Sequence, residues 1–170
     1  KLTQVLNPFG PGAGEVTGGH PSALAWYQNQ LWVGLNGSAT TNGIGKLVRA
    51  YPDIATSWTT EKSDFVSHIS SIASFLGQLY VGTQSSATTG AQIYKRTNST
   101  GVWTSQVTSG SGAGGNGQYA SLYVYSSACY AVEYFSGVTD VIHILRTTDG
   151  TTWATDRDVD ANDGTDATNP

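Results

Sequence analysis

Two histidines and a glutamine occupy the same place in three successive segments of the chain, and they are the first candidates for a binding site. His20 and His68 lie 48 positions apart, and Gln118 follows after another 50. Imidazole and amide groups both donate and accept hydrogen bonds, so a ring of such side chains could bind a polar ligand. Ser38 and Ser86 each begin a Ser-Ala-Thr-Thr segment that could add hydroxyl groups. The competing interpretation is that a repeated residue does a repeated structural task, such as bonding a neighbouring strand.

Aromatic side chains offer a second kind of binding surface, because their flat rings can stack against a sugar. Trp26 is the main candidate, since its counterparts in the other two segments are Ser74 and Val124. An aromatic residue that is not repeated is suited to a specific contact. Three further aromatic residues stand at matching positions and are predicted to pack between repeats instead: Trp32, Tyr80 and Tyr130.

An acidic stretch over residues 156–166 could hold a metal ion. Its oxygen-bearing side chains alternate ahead of Gly164, and Asp158, Asp160 and Asn162 could ligate calcium. The glycine stands one place later than in a calcium-binding loop, and no glutamate closes the site. A solvated acidic connector is the favoured interpretation, with calcium as the alternative. We expect no other cofactor or metal.

The composition narrows the range of partners. Of the 170 residues only 12% are charged, and the formal net charge is −4. The 8 lysines and arginines are scattered, which predicts no nucleic-acid binding. No apolar run approaches the roughly 18 residues that span a bilayer, so we predict no membrane insertion. Cys129 is alone and is expected in the core, since it has no partner for an internal disulfide.

The elements that carry these residues repeat along the chain. Segments 30–34 and 78–82 read QLWVG and QLYVG, and a worn copy at 128–132 reads ACYAV. Each copy alternates its side chains with a period of two, which is the spacing of a β-strand. Three further strands are predicted beside each copy. Four strands in about 48 residues are typical of one blade of a β-propeller, and the chain is predicted to be all-β.

This repeat predicts the organisation of the chain. Residues 1–19 would form the partial last strand of a preceding blade and a connector; residues 20–67, 68–116 and 117–160 would form three blades; residues 161–170 would form an acidic connector. Three blades cannot close a ring, since propellers usually have four to eight. We therefore predict an incomplete ring that needs more blades, either from the same chain or from other chains.

The turn before one tryptophan in each repeat resembles the Asp-box of sialidase-like propellers, Ser-x-Asp-x-Gly-x-Thr-Trp. Residues 147–153 read TTDGTTW, with one residue fewer between acid and tryptophan, and residues 97–103 read TNSTGVW. Residues 52–58 read PDIATSW and keep the acid and the tryptophan. The resemblance implies that the acid caps a tight turn and that Trp58, Trp103 and Trp153 pack between blades. It leaves the activity open.

The same resemblance suggests a hydrolase, because sialidases use a tyrosine nucleophile with a glutamate and an aspartic acid. Here the candidates are Glu133, Tyr134 and Asp140. That family also needs three convergent arginines. The arginines at matching points of the repeats are expected to spread around the ring instead: Arg49, Arg96 and Arg146. We therefore expect no enzyme, with a fragment of a sialidase-type glycosidase as the alternative.

Together these features predict a non-enzymatic, lectin-like binding or adhesion module for a glycan or protein surface, located outside the cell or on a virion. A structural subunit of an extracellular fibre or capsid is the other alternative, because open blade edges can be covered by neighbouring copies. Asn36 and Asn98 begin acceptor sequons that would be glycosylated only in a secretory setting.

Overall fold

The computed structural model describes residues 20–36, 45–50, 59–65, 67–85, 90–108, 116–136 and 141–160. These ranges contain β-strands joined by turns and bends, and none of their residues forms a helix. Accordingly, no helix in these ranges is long and apolar enough to cross a membrane.

The strands form three four-stranded antiparallel sheets in which the spatial order follows the sequence. Blade 1 holds β1 (His20–Tyr27), β2 (Gln30–Asn36), β3 (Gly45–Ala50) and β4 (Thr59–Phe65). Blade 2 holds β5 (Ile69–Phe75), β6 (Gln78–Thr83), β7 (Gln92–Arg96) and β8 (Trp103–Thr108). Blade 3 holds β9 (Asn116–Tyr125), β10 (Ala128–Ser136), β11 (Val141–Thr147) and β12 (Ala154–Asp160). The predicted fold class, three four-stranded blades of an incomplete propeller, is confirmed.

The blades stack face to face, so the middle sheet is buried on both sides. In β6, Leu79 and Val81 pack into a cluster shared with blade 1, whereas Tyr80 packs into a cluster shared with blade 3. All three side chains are fully buried. This explains why segment 78–82 is apolar on both faces of the strand, while a sheet with one wet face would alternate apolar and polar residues.

The first strands line the inside of the arc, where β1 lies against β5 and β5 lies against β9. Each first strand carries a β-bulge at the same point, with Ser22, Ser70 or Ala120 as the extra residue. Close approach at these seams depends on glycine. A Cβ on Gly34 would stand 2.6 Å from Ile69 Cγ2, and one on Gly82 would stand 2.9 Å from the Cβ of Tyr119.

Tryptophans at equivalent places fill the two seams. The ring of Trp103 in blade 2 meets the ring of Phe65 in blade 1, with centroids 5.5 Å apart. The ring of Trp153 in blade 3 meets that of Tyr80 in blade 2 at 6.3 Å. Both indole N–H groups are buried without a hydrogen-bond acceptor. Trp58, the third tryptophan expected in this role, lies outside the described residues.

Cys129 is a free thiol in the seam between blades 2 and 3. It is fully buried, and this burial raises its pKa to about 11. The thiol therefore stays protonated at neutral pH and contributes to packing as a small apolar side chain.

Candidate functional site

Two of the three predicted ring residues come together at the beginning of the first strands. The backbone N–H of Gln84 donates to the carbonyl oxygen of His68 at 2.9 Å. Its side-chain Nε2 donates to Oε1 of Gln118 at 3.1 Å, and the two glutamines also form an isolated β-bridge. Gln84 therefore links His68 to Gln118 across the seam between blades 2 and 3. Gln84 was not among the predicted site residues, although it follows the repeated β6 segment directly.

The other predicted ligand residues stand elsewhere or outside the described part. His20 begins β1 opposite Asn36, which places its backbone at the same end of blade 1. Trp26 is 55% exposed and lies near the far end of β1, about 20 Å of strand away from His20. Ser38 and Ser86 lie outside the described residues.

The two asparagines of the predicted glycosylation sequons make hydrogen bonds within the fold. Asn36 is 6% exposed and accepts a hydrogen bond from the Ser22 hydroxyl at 3.2 Å. The Asn98 side chain bonds to the carbonyl oxygen of Gly77 and accepts from the Tyr27 hydroxyl at 2.5 Å. Each asparagine side chain therefore has a structural role through its own hydrogen bonds.

A row of polar side chains crosses blade 3 near the beginning of its first strand, β9, and faces blade 2. Register places Tyr119 opposite Glu133, Glu133 opposite His143, and His143 opposite Asp158. The Nδ1 atom of His143 bonds to the Asp158 carboxylate. Tyr119 is fully buried, and Glu133 is 5% exposed. Burial first, and the charge of Glu133 second, raise the pKa of Tyr119 far above its usual value.

Three side chains near this end bury polar atoms. Nε2 of His68 makes no hydrogen bond to a described residue, and the hydroxyl of Tyr119 stands beside the carboxylate of Glu133. A buried polar group without a partner costs free energy, so such groups usually meet a water molecule, an ion or a ligand. We refer to His68, Gln84, Gln118, Tyr119 and Glu133 as the polar cluster.

The predicted hydrolase residues are only partly brought together. Glu133 and Tyr134 are neighbours in β10 and therefore point to opposite faces of the sheet, so they do not form a pair. The phenol that stands beside Glu133 belongs to Tyr119. Asp140 lies outside the described residues. The calcium alternative also stays a prediction, because Asp158 engages His143 and Asn162 lies outside the described residues.

The arginines do not follow the predicted equivalence. Register pairs Trp32 with Arg49, Tyr80 with Lys95, and Tyr130 with Arg146, so the counterpart of Arg49 in blade 2 is Lys95. Arg96 is one residue further and points to blade 1. There Glu61 Oε2 accepts from Arg49 Nε at 2.9 Å, and Glu61 Oε1 accepts from Arg96 Nε at 2.6 Å. Two of the three arginines are thus gathered at one seam.

The turn over residues 147–153 is organised around Asp149. Its Oδ1 accepts hydrogen bonds from the backbone N–H groups of Thr152 at 2.7 Å and Thr151 at 2.8 Å. Gly150 has a φ of 72°, and its carbonyl oxygen accepts from the Tyr80 hydroxyl of blade 2 at 2.9 Å. The turn therefore fixes the start of the last strand and anchors blade 3 to its neighbour.

Acid should weaken this turn. The backbone N–H of Thr152, followed by that of Thr151, holds the pKa of Asp149 below its usual range. A depressed folded-state pKa gives stability that is present above the ordinary carboxyl pKa of about 4 and is lost as the pH falls through the folded-state value. We expect Asp149→Asn to lose less stability than the wild type between about pH 5 and pH 2.

Thermal unfolding at several pH values measures this difference. Asp64→Asn is the control, because Asp64 lies in an exposed ion pair with Lys62 on β4. An acid-induced loss of stability that is equal in the Asp149→Asn variant and the wild type would contradict the capping role.

The comparisons with known proteins define a class and no family. No family model matches the sequence, and no curated protein matches it. Among solved structures, a similar chain is a novel α-L-arabinofuranosidase from Clostridium thermocellum, at 11% identity and a TM-score of 0.39. The match covers 83% of this chain and 72% of that chain. The three four-stranded antiparallel sheets themselves describe a propeller-like all-β protein.

The prediction that this chain is not an enzyme is contradicted by that comparison and is wrong as stated. The similar structure is a glycosidase. The physical premise also fails, because it required the arginines to spread around the ring, whereas Glu61 brings Arg49 and Arg96 together.

Proposed function

We propose that the chain is a carbohydrate-binding propeller module of an extracellular or virion surface, and that the polar cluster contacts the ligand. The observation that supports this most is the buried Nε2 of His68, which makes no hydrogen bond to a described residue, at the end of the first strands where Tyr119 and Glu133 are also buried. Hydroxyl-rich ligands supply both donors and acceptors for such groups. The turn of Asp149 further supports an Asp-box propeller, since its acid caps a tight turn beside a tryptophan at a seam.

Binding to an oligosaccharide array tests this proposal. Wild-type protein should bind at least one class of glycan, and His68→Ala and Gln118→Leu should each weaken that binding at least tenfold, a loss of about 1.4 kcal/mol or more. Gln106→Leu is the matched control, because Gln106 lies on β8 and its side chain donates to Thr104 of the same strand. Equal binding by the control and the two cluster variants would contradict the proposed site, and a wild-type protein that binds nothing on the array would contradict the function.

Glycoside hydrolysis is a second candidate function, favoured by the pairing of Glu133 with Tyr119. Both side chains are buried and stand opposite each other, and a carboxyl beside a phenol is a candidate for acid–base or nucleophilic roles. A panel of fluorogenic glycosides, including an α-L-arabinofuranoside and an α-sialoside, provides the assay. We expect Glu133→Gln to abolish any activity and Asp64→Asn to retain it. Activity that survives Glu133→Gln would exclude this carboxyl from the reaction.

A further inference from the structure

The seam between blades 1 and 2 contains a clamp for a guanidinium group. Glu61 is the extra residue of a β-bulge in β4, between Thr60 and Lys62. Its side chain is 8% exposed and bridges Arg49 of the same blade to Arg96 of blade 2, whose side chain is 12% exposed. Both guanidinium carbons lie 5.5 Å from the centre of the Trp32 ring. An aromatic ring, a cation and a bulge acid of blade 1 thus hold an arginine supplied by its neighbour.

Blade 3 repeats the holding half of this clamp on the face that points away from blade 2. Tyr130 pairs with Arg146 and Arg146 with Ala154, as Trp32 pairs with Arg49 and Arg49 with Thr59. Asp156 is the extra residue of the bulge in β12, which is the place of Glu61 in β4. In blade 2 the bulge residue is the neutral Gln106, so an acid at this position is not a general requirement of the fold.

In the clamp of blade 1, Arg96 of the next blade supplies the bound arginine. No described residue supplies such an arginine to the outward face of blade 3. Arg146 and Asp156 are exposed, and neither makes an ion pair with a described residue. Together with Asp149 and Thr152 they line a cavity of about 390 Å³. The cavity therefore holds two carboxylates and one guanidinium, which leaves a net negative charge for an incoming cation.

A further blade packed in the manner of blades 2 and 3 does not fit this face. The seam-forming faces carry small residues on their first two strands, namely Ala25 and Gly34 in blade 1 and Ala73 and Gly82 in blade 2. The same register positions in blade 3 hold Tyr123 and Val132. Since even a Cβ on Gly34 would meet Ile69 at 2.6 Å, the Val132 side chain prevents an equally close approach.

We infer that the cavity lined by Arg146 and Asp156 binds an arginine side chain presented by a partner protein, and that Tyr130, the register partner of Arg146, supplies the ring. The partner meets blade 3 through a segment that reaches the cavity while it stays clear of Tyr123 and Val132. Charge complementarity defines its chemistry: a guanidinium that pairs with Asp156 and stacks over Tyr130, as Arg96 pairs with Glu61 and lies over Trp32. This site lies on another face from the polar cluster and does not depend on the proposed glycan binding.

Nuclear magnetic resonance titration with N-acetylarginine amide tests the site on the whole chain. We expect saturable shifts of the backbone amides of residues 146–156, with a dissociation constant on the order of millimolar for this small probe. N-acetylcitrulline amide has the same shape without the charge and should bind at least about fivefold more weakly, as expected for one ion pair at a partly exposed site.

Variants separate the site from nonspecific attraction to an acidic chain. Asp156→Asn should weaken binding of the arginine probe about fivefold or more, whereas Asp64→Asn removes the same charge from blade 1 and should leave binding unchanged. Tyr130→Leu keeps an apolar side chain and should weaken binding by a smaller factor. Self-association that disappears in Asp156→Asn would also support the site, with a second copy as the source of the arginine. Equal shifts with both probes, or equal losses in both aspartate variants, would overturn the inference.

Discussion

Gly82→Ala is expected to lower the free energy of unfolding by about 3 kcal/mol, the upper range for overpacking a tight interior. The added methyl group would stand 2.5 Å from Ser71 Oγ, 2.9 Å from Tyr119 Cβ and 3.0 Å from the Tyr119 carbonyl oxygen. The Ser71 hydroxyl can rotate away only by breaking its hydrogen bond to the Tyr119 carbonyl oxygen at 2.9 Å. Tyr119 itself is held by backbone pairing in β9 and by the Ser70 hydroxyl, which donates to the same carbonyl oxygen at 2.6 Å. Relief therefore requires blades 2 and 3 to separate.

The sign of this effect is informative, because alanine is otherwise the better residue in a strand. Replacing glycine usually gains about 0.5–1 kcal/mol by reducing the entropy of the unfolded chain. Only a steric clash at the seam can reverse that gain. Urea denaturation measures the difference, and Val132→Ala at the same register position of blade 3 is the control. Val132 is half-buried on the outward face, so its truncation should cost about 1 kcal/mol or less. A stabilised Gly82→Ala variant would mean that the seam is not closely packed.

The fold could be predicted from sequence because every level of its pattern repeats. The period of two in segments 30–34 and 78–82 indicates strands, and their return after 48 residues indicates blades. Gly34 and Gly82 are part of the repeated string, and the structure gives the reason: each meets the first strand of the next blade. The close approach of the blades therefore requires glycine at the same position of both repeats, and this repetition can be seen in the sequence.

The sequence did not predict which face of a sheet each side chain lies on, because that depends on the register of strand pairing. A shift by one residue moves a side chain to the other face of a sheet. Arg96 was matched to Arg49 by residue type, but the residue in register with Arg49 is Lys95. The Arg96 side chain therefore lies on the opposite face of its sheet from the one that was predicted. The same rule separates Glu133 from Tyr134. The true neighbour, Tyr119, is placed by a bulge in β9 that leaves no sequence signal of its own.

The candidate site was predictable only where it coincides with the repeat. His68 and Gln118 were found because they stand at matching positions, and both lie in the polar cluster. Gln84 and Tyr119 have no repeated signature, and their roles follow from a bridge between two blades. Such contacts between distant segments are set by how the sheets stack, and a local pattern holds no information about that.

Glu61→Gln is expected to cost about 3 kcal/mol, because it leaves two arginines facing each other at a seam. The Glu61 side chain is 8% exposed and that of Arg96 is 12% exposed, so water can replace little of the lost charge. Arg49, at 29%, is better solvated and is also held by Oε1 of Gln30 at 2.8 Å. Most of the loss should therefore arise from Arg96, which would keep its charge in a buried place over the Trp32 ring without the carboxylate that balances it. Asp64→Asn, which breaks the exposed pair with Lys62, should fall within the scatter of the measurement.

The neighbouring seam provides the rescue for this variant. There the positions of Glu61 and Arg96 are held by Gln106 and Thr147, so blades 2 and 3 pack without a bridging acid. The double variant Glu61→Gln/Arg96→Thr should recover more than half of the stability lost in Glu61→Gln, although both proteins lack the two ion pairs of Glu61. Urea denaturation of the four proteins of this double-mutant cycle gives the coupling energy, which should exceed about 1.5 kcal/mol for residues that share a buried ion pair. Additive losses would mean that Glu61 and Arg96 act independently. In that case the seam between blades 1 and 2 would give no reason to expect that Arg146 and Asp156 hold a partner's arginine.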